Sequence, residues 1–299
     1  MSQYASPSLT HERIGDLITT RVRKPERVAE LAASRRRPSS LAGQTGRLLL
    51  VAADHPARGA LRAGNDAMAM SDRTELLRRL CVALARPGVD GVLGTADVIE
   101  DLLLLGVLDD KVVLGSMNRG GLAGTVFEID DRFTAYDAAT LAARGLQGGK
   151  MLLRIDPDDA ATADTMMACA AAVNALADHS LMAMVEPFIS HRFEGRVRND
   201  LSPEAVIRSA TVAAGLGHTS AYTWLKLPVV DDMAQVLAST GLPIVLLGGE
   251  VGVDQDAQFA QWSKALASPN VVGMVVGRSL LYPPDGDVAA AVDSTVEMM

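Results

Sequence analysis

Cysteine and clustered histidine are what this chain has least of. Only two cysteines, Cys81 and Cys169, occur in 299 residues. Both fall in segments with helical character, so a disulfide framework and a Cys-x-x-Cys metal or redox pair are excluded. The five histidines, His11, His55, His179, His191 and His218, are scattered, whereas a metal-dependent lyase needs histidines and acids gathered together. No metal and no cofactor is expected. No apolar run approaches the ~20 residues that span a bilayer, and the amino terminus lacks a charged-then-apolar leader pattern. The expectation is a soluble, cytoplasmic protein with no membrane partner. The formal charge of -8 is mild for this length and argues against nucleic acid or anionic membrane as a partner, so an anionic ligand needs a local basic site.

What is present is a large apolar fraction. With 48% hydrophobic and 21% charged residues, the chain can fill one large core or at most two. Residues 1–46 are richer in arginine than the rest, and Val22, Val28, Leu31 and Ala32 recur at helical spacing. They predict an N-terminal helical extension of one or two helices and a linker. Arg35-Arg36-Arg37 reads as a solvated helix end, suited to a helix C-terminus, in a segment serving as a cap or subunit contact.

From residue 47 to 299 a strand-then-helix rhythm runs without interruption. Strands are predicted at 47–54, 90–95, 111–117, 150–155, 181–186, 222–227, 243–247 and 271–276, each followed by a helical segment. Eight such pairs without antiparallel hairpin signals predict a (β/α)8 TIM barrel, of class α/β, in preference to a doubly wound open sheet. In such a barrel the chemistry sits at the carboxyl ends of the strands.

The run Tyr222-Thr223-Trp224-Leu225-Lys226-Leu227-Pro228 is the centre of that reading. Alternation puts Trp224 and Lys226 on one face and Leu225 and Leu227 on the other. A lysine held among hydrophobes must find a partner, reach water, or give up its proton. Three more polar residues close other strands: Asp54 the first, Lys150 on the fourth, Glu186 the fifth. Lys150, Leu152 and Arg154 share a face, so a second cation also points inward. Together these residues suit amine catalysis. An adjacent cation such as Lys150 and an apolar wall favour a neutral amine that can attack a carbonyl. Glu186, with a raised pKa, would move protons, and Asp54 would orient the amine or bind substrate hydroxyls. The last two strands end in Gly248-Gly249 and Gly277-Arg278, where glycine backbone and a guanidinium can grip a phosphate.

These motifs resemble the Schiff-base (class I) aldolases of the group uniting deoxyribose-phosphate, archaeal-type fructose-bisphosphate and tagatose-bisphosphate aldolases, the last branch most. The resemblance spans about residues 47–282, carried by Ala-Ala-Asp at 52–54, Lys-Met-Leu-Leu-Arg-Ile-Asp at 150–156, Val-Glu-Pro at 185–187, Trp-Leu-Lys-Leu-Pro at 224–228, Gly-Gly at 248–249 and Gly-Arg at 277–278. It implies that Lys226 forms the Schiff base, Glu186 is the acid/base, Lys150 and Asp54 are polar neighbours, and Gly249 with Arg278 clamps phosphate. It also implies a metal-independent aldehyde-lyase that acts on a phosphorylated small molecule.

Specificity is expected in two loops. Asn118-Arg119-Gly120-Gly121-Leu122-Ala123-Gly124 reads as a flexible segment, a lid or plain surface loop. Residues 190–198, carrying Arg192, Arg196 and Arg198, would bring three arginines to the catalytic face. If they point inward they imply a second anionic group, as in a phosphorylated deoxy-keto-acid of inositol breakdown. Competing readings are a non-catalytic sugar-phosphate-binding barrel, which has no use for both Lys226 and Glu186, and a phosphate-binding isomerase, which needs no amine at 226. Barrels of this type associate through outer helices, so a homo-oligomer is expected.

Overall fold

A computed structural model describes residues 9–41, 43, 46–249 and 255–299. Its nine strands are β1 (Leu48–Ala52), β2 (Gly91–Gly94), β3 (Val112–Ser116), β4 (Gly148–Ile155), β5 (Met182–Phe193), β6 (Arg196–Asp200), β7 (Thr223–Leu227), β8 (Ile244–Leu247) and β9 (Val271–Val276). They run in the order β4-β3-β2-β1-β9-β8-β7-β5-β6, and a further β4–β5 pairing closes the ring. Every pairing within that ring is parallel. The molecule is therefore a closed (β/α)8 barrel, as the strand count predicts.

Alternation along each strand builds two cores. Leu48, Leu50, Leu93, Leu114, Met184, Val245 and Val275 fill the barrel interior, with Trp224 packed against them. Leu49, Val51, Met151, Leu153, Val185, Leu225 and Leu227 face the surrounding helices. The two faces of the 222–228 run divide as its period of two requires. Higher in the barrel the inward positions turn polar. Ser116, Lys150, Arg154, Glu186 and Lys226 continue the inward series of β3, β4, β5 and β7, and all are buried.

The sequence expectation fails beyond the end of β5. The segment read as a loop is a β-hairpin, with β5 running on to Phe193 and β6 returning antiparallel through Ser190↔Asn199 and Arg192↔Val197. Its apolar face is too short to announce a strand: β6, Arg-Val-Arg-Asn-Asp, is exposed or half-buried throughout. Such a ribbon is fixed by backbone pairing to a longer partner, which pattern does not reveal.

Two helices, α1 (His11–Arg23) and α2 (Arg27–Ser34), precede β1. Leu17, Val28 and Ala32 are buried, and Arg21 pairs with Asp101 at 2.9 Å. The arginines after α2 are not all a solvated helix end. Arg35, only 7% exposed, donates to the carbonyls of Leu108, Lys111 and Gly145 and to the Gln147 side chain. It ties together the segments that enter β3 and β4. The exposed Arg36 pairs with Asp109 and Asp110. The fork of a guanidinium suits this because it satisfies several carbonyls at once. Among the described residues no helix is long and apolar enough to cross a membrane.

Candidate active site

The carboxyl ends of the strands open into a cavity of about 660 Å³. Asp54, Lys150, Glu186 and Lys226 all line it, and so do Gly248, Gly249, Gly277 and Arg278. Every site residue read from the sequence thus faces one space. The chain gathers them from the carboxyl ends of β1, β4, β5, β7, β8 and β9, which the closed ring brings round one opening.

Glu186 is the hub. Its Oε1 accepts from Lys226 Nζ at 2.6 Å, while Oε2 takes an ion pair from Lys150 Nζ. The strand register makes this possible. Val185 pairs with Leu225 across β5 and β7, which brings the next residues, Glu186 and Lys226, side by side, while Lys150 pairs with Met184, one pleat before Glu186, and its long side chain spans the difference. Lys150 also lies 3.4 Å from Asp54 Oδ2. Lys226 accordingly meets a partner, the first of the three fates open to a buried lysine.

The electrostatics follow from burial opposed by charge. Burial pushes the Glu186 carboxyl up, but Lys150 and Lys226 outweigh it and hold the group at about 2. This corrects the expected raised pKa: in the resting site Glu186 is a carboxylate. Burial lowers Lys150 to about 8 despite the attraction of Asp54 and Glu186. Asp54 is also driven up by burial, yet Arg119 and Lys150 keep it well below the ordinary carboxylate range. Burial takes His55 down to about 3, so it is a neutral imidazole in the cavity wall. Its Nδ1 has no hydrogen-bond partner and lies 3.9 Å from Asp54 Oδ1.

Sequence reasoning missed several neighbours. Ser116 donates to Asp54 Oδ2 at 3.0 Å; its inward parity after Val112 and Leu114 was the available signal. Arg119 places Nη2 2.7 Å from Asp54 Oδ2, off the hydrogen-bonding direction, and donates from Nη1 to the Asp54 carbonyl. The 118–124 loop is not free to flap. Asn118 is fully buried and its amide donates to Leu152 O and accepts from Leu152 N, while the Gly121 carbonyl accepts from Arg58. Of the three hairpin arginines only Arg198 lines the cavity. Arg192 turns to Asp159 and to the Val126 carbonyl, and Arg196 is exposed.

On the β8 and β9 side, close backbone approach is built in. A Cβ on Gly277 would come within 2.8 Å of both the Ala52 carbonyl and His55, and Gly249 has φ +68, in the left-handed region that favours glycine. Arg278 starts the short helix Arg278–Leu281 beside them. Glu250, which follows Gly249, lies outside the described residues. Among the described residues no group of three or more His, Cys, Asp or Glu is placed to hold a metal ion.

A family model described as Cgl0159-like matches residues 46–296. The chain belongs to the Cgl0159-like family. Within it, the crystal structure of Cgl0159 from Corynebacterium glutamicum is 54% identical, with a TM-score of 0.94 and coverage of 97% of each chain. This Cgl0159-like barrel also superposes on more distant solved structures. A Schiff-base-forming fructose-1,6-bisphosphate aldolase is 18% identical, with a TM-score of 0.64 and coverage of 91% of this chain and 99% of that one. A fructose-bisphosphate aldolase from Slackia heliotrinireducens is 17% identical, with a TM-score of 0.58 and coverage of 98% and 93%. At such identity the likeness is one of fold. No protein with a curated description matches the chain.

Proposed function

We propose that this Cgl0159-like barrel is a metal-independent class I aldolase that cleaves a phosphorylated ketose or deoxy-keto-acid to a three-carbon phosphate and an aldehyde. One observation carries the reading: a buried lysine amine shares a carboxylate with a second buried lysine inside a cavity wide enough for a sugar phosphate. A structural ion pair needs neither the cavity nor the second amine.

In this reading Lys226 Nζ passes a proton to Glu186 and attacks the substrate ketone, giving a carbinolamine. Glu186 returns the proton to the departing hydroxyl, water leaves, and a protonated imine remains. The carbon-carbon bond β to the imine carbon then breaks. Its electron pair flows onto the iminium to form an enamine, and the proton of the neighbouring hydroxyl passes to the base as the aldehyde is released. Protonation of the enamine carbon and hydrolysis restore the amine and free the three-carbon phosphate. Glu186 is a strong acid in the resting site because two lysines face it. In the neutral carbinolamine one of those cations is gone, so Glu186 keeps the proton that it then delivers to the departing hydroxyl, and the protonated imine restores the positive charge beside the carboxylate.

Lys150, charged below about pH 8, holds the other carboxylate oxygen and polarises the hydroxyl being lost. Asp54, fixed by Ser116 and Arg119, is the partner for substrate hydroxyls. Gly248, Gly249, Gly277 and Arg278 take the phosphate. The tagatose-bisphosphate branch and the keto-acid phosphates of inositol breakdown bound the substrate class, and we place the enzyme in the cytoplasm as a homo-oligomer. Sodium borohydride added with dihydroxyacetone phosphate tests the reading: a reduced adduct is expected on Lys226 and is expected to vanish in Lys226→Ala. Absence of an adduct with every member of a ketose-phosphate and keto-acid-phosphate panel would favour a phosphate-binding isomerase or a non-catalytic sugar-phosphate-binding barrel.

A further inference from the structure

Two carboxylates compete for the Lys150 ammonium, and they do not hold it equally. Glu186 Oε2 is in direct ion-pair contact with Nζ, whereas Asp54 Oδ2 stands off at 3.4 Å. That Asp54 oxygen is already occupied. Arg119 Nη2 lies 2.7 Å from it, and Ser116 Oγ donates to it at 3.0 Å. Arg119 also donates from Nη1 to the Asp54 carbonyl, so its guanidinium lies against a single residue at two points. Two like charges that share one acceptor repel each other, and the ammonium is the one with somewhere else to go.

Charge alternates along the row that results, from Arg119 through Asp54, Lys150 and Glu186 to Lys226. Each member is nine-tenths buried or more, so salt screens these contacts weakly. A change of charge at one end is therefore felt along the row. The other cations of that wall are engaged elsewhere, Arg58 with Asp131 and Arg154 with Asp131 and Glu128. His55, beside Asp54, is neutral. Burial comes first among the causes that bring Lys150 down to about 8; Asp54 and Glu186 oppose it, and Arg119 and Lys226 add to it.

We propose that Arg119 is a positioning residue that reserves Lys150 for Glu186: by neutralising Asp54 it denies the ammonium a second full partner and leaves it leaning on the proton carrier of Lys226. The inference rests on the aldolase reading for the role of Glu186 and on the arrangement of charges for the role of Arg119. Without the guanidinium, Asp54 draws Lys150 across. The ammonium then has two full partners and keeps its proton to higher pH, while Glu186 loses part of the positive charge that keeps it ionised. A residue on the connection after β3 thus sets the pH range in which the pair on β5 and β7 operates.

The test needs no substrate. The lysines of the chain are Lys24, Lys111, Lys150, Lys226 and Lys264, few enough for each to be followed by NMR in full-length protein labelled with carbon-13 at the lysine ε position. The Lys150 signal is the one lost in Lys150→Met. In the wild type its midpoint is expected near 8. In Arg119→Gln, checked for a normal thermal unfolding transition, it is expected to rise by about one unit or more. Arg119→Lys, which restores the charge without the planar fork, is expected to bring it back. A crystal structure of Arg119→Gln should show Lys150 Nζ in direct contact with Asp54. An unmoved midpoint in folded Arg119→Gln would overturn the proposal. So would a wild-type midpoint at or above the ordinary lysine value of about 10.4, which decides the matter even if the neutral variant does not fold. Turnover is read separately: the alkaline limb of kcat should move by the same step in Arg119→Gln while KM changes little. If borohydride gives no adduct on Lys226 the aldolase reading fails, and the titration of Lys150 still judges Arg119.

Discussion

Lys226 and Glu186 stand on neighbouring strands with amine and carboxylate oxygen 2.6 Å apart, in a site where each is nine-tenths buried. The pair ties the proposed nucleophile to its proton carrier. Removing the carrier while keeping its shape should therefore damage chemistry more than binding. Glu186→Gln is expected to lower kcat by about 10²- to 10⁴-fold with a much smaller change in KM. Borohydride trapping should slow but still occur. A variant as active as the wild type would remove Glu186 from the mechanism.

The second amine acts through charge. Lys150 is expected to be protonated below about pH 8, so a rate that depends on it should fall as pH rises through that value. Lys150→Met should remove this alkaline limb from the kcat profile and lower the plateau by about tenfold or more. An alkaline limb that survives the substitution unchanged would assign it to another group.

Acid stability carries a sign that can be worked out. His55 sits at about 3 in the fold against 6.5 in the unfolded chain, and Glu186 at about 2 against 4.5. In both windows the unfolded chain binds more protons, so stability drops as pH falls, first from 6.5 toward 3 through His55 and then from 4.5 toward 2 through Glu186. His55→Gln is expected to flatten the upper part of the curve of unfolding free energy against pH. Denaturant titrations between pH 7 and pH 4 read the slope directly, and an unchanged slope would mean that His55 titrates normally.

The clamp end is tested through KM. Arg278→Gln should raise KM for a phosphorylated substrate by about 10- to 100-fold and weaken inhibition by inorganic phosphate in step. A kcat loss without either change would show that Arg278 serves the fold.

Far from the cavity, Arg35→Ala should lower stability by about 3 kcal/mol. It strands three carbonyls, those of Leu108, Lys111 and Gly145. Thermal unfolding should shift down while kcat/KM at low temperature stays near that of the wild type.

The barrel was legible because its signals are local. Each strand is a short apolar run with a period of two, and the inward parity of Lys150, Glu186 and Lys226 follows from that period alone. Asp54 was visible because it closes such a run. Arg58, Arg119 and Asp131 were not, since they stand on irregular connections whose path is set by partners remote in sequence. Arg35 misled for the same reason: as a string, three arginines after a helix look solvated, and only the carbonyls that converge on the first of them show otherwise. The hairpin β5–β6 escaped because backbone pairing, not side-chain pattern, makes it.

That hairpin gives the entrance an adjustable edge. A single unbroken strand carries Glu186 at the reactive centre and Phe193 at the outer tip, and the ribbon returns to set Arg198 at the rim. Glu194 and Gly195 turn it at φ +50 and +75. Residues inserted or removed at this turn would resize the doorway, while the anchored root of the ribbon keeps the carboxylate in place. Redesign aimed at admitting bulkier compounds has its natural starting point there.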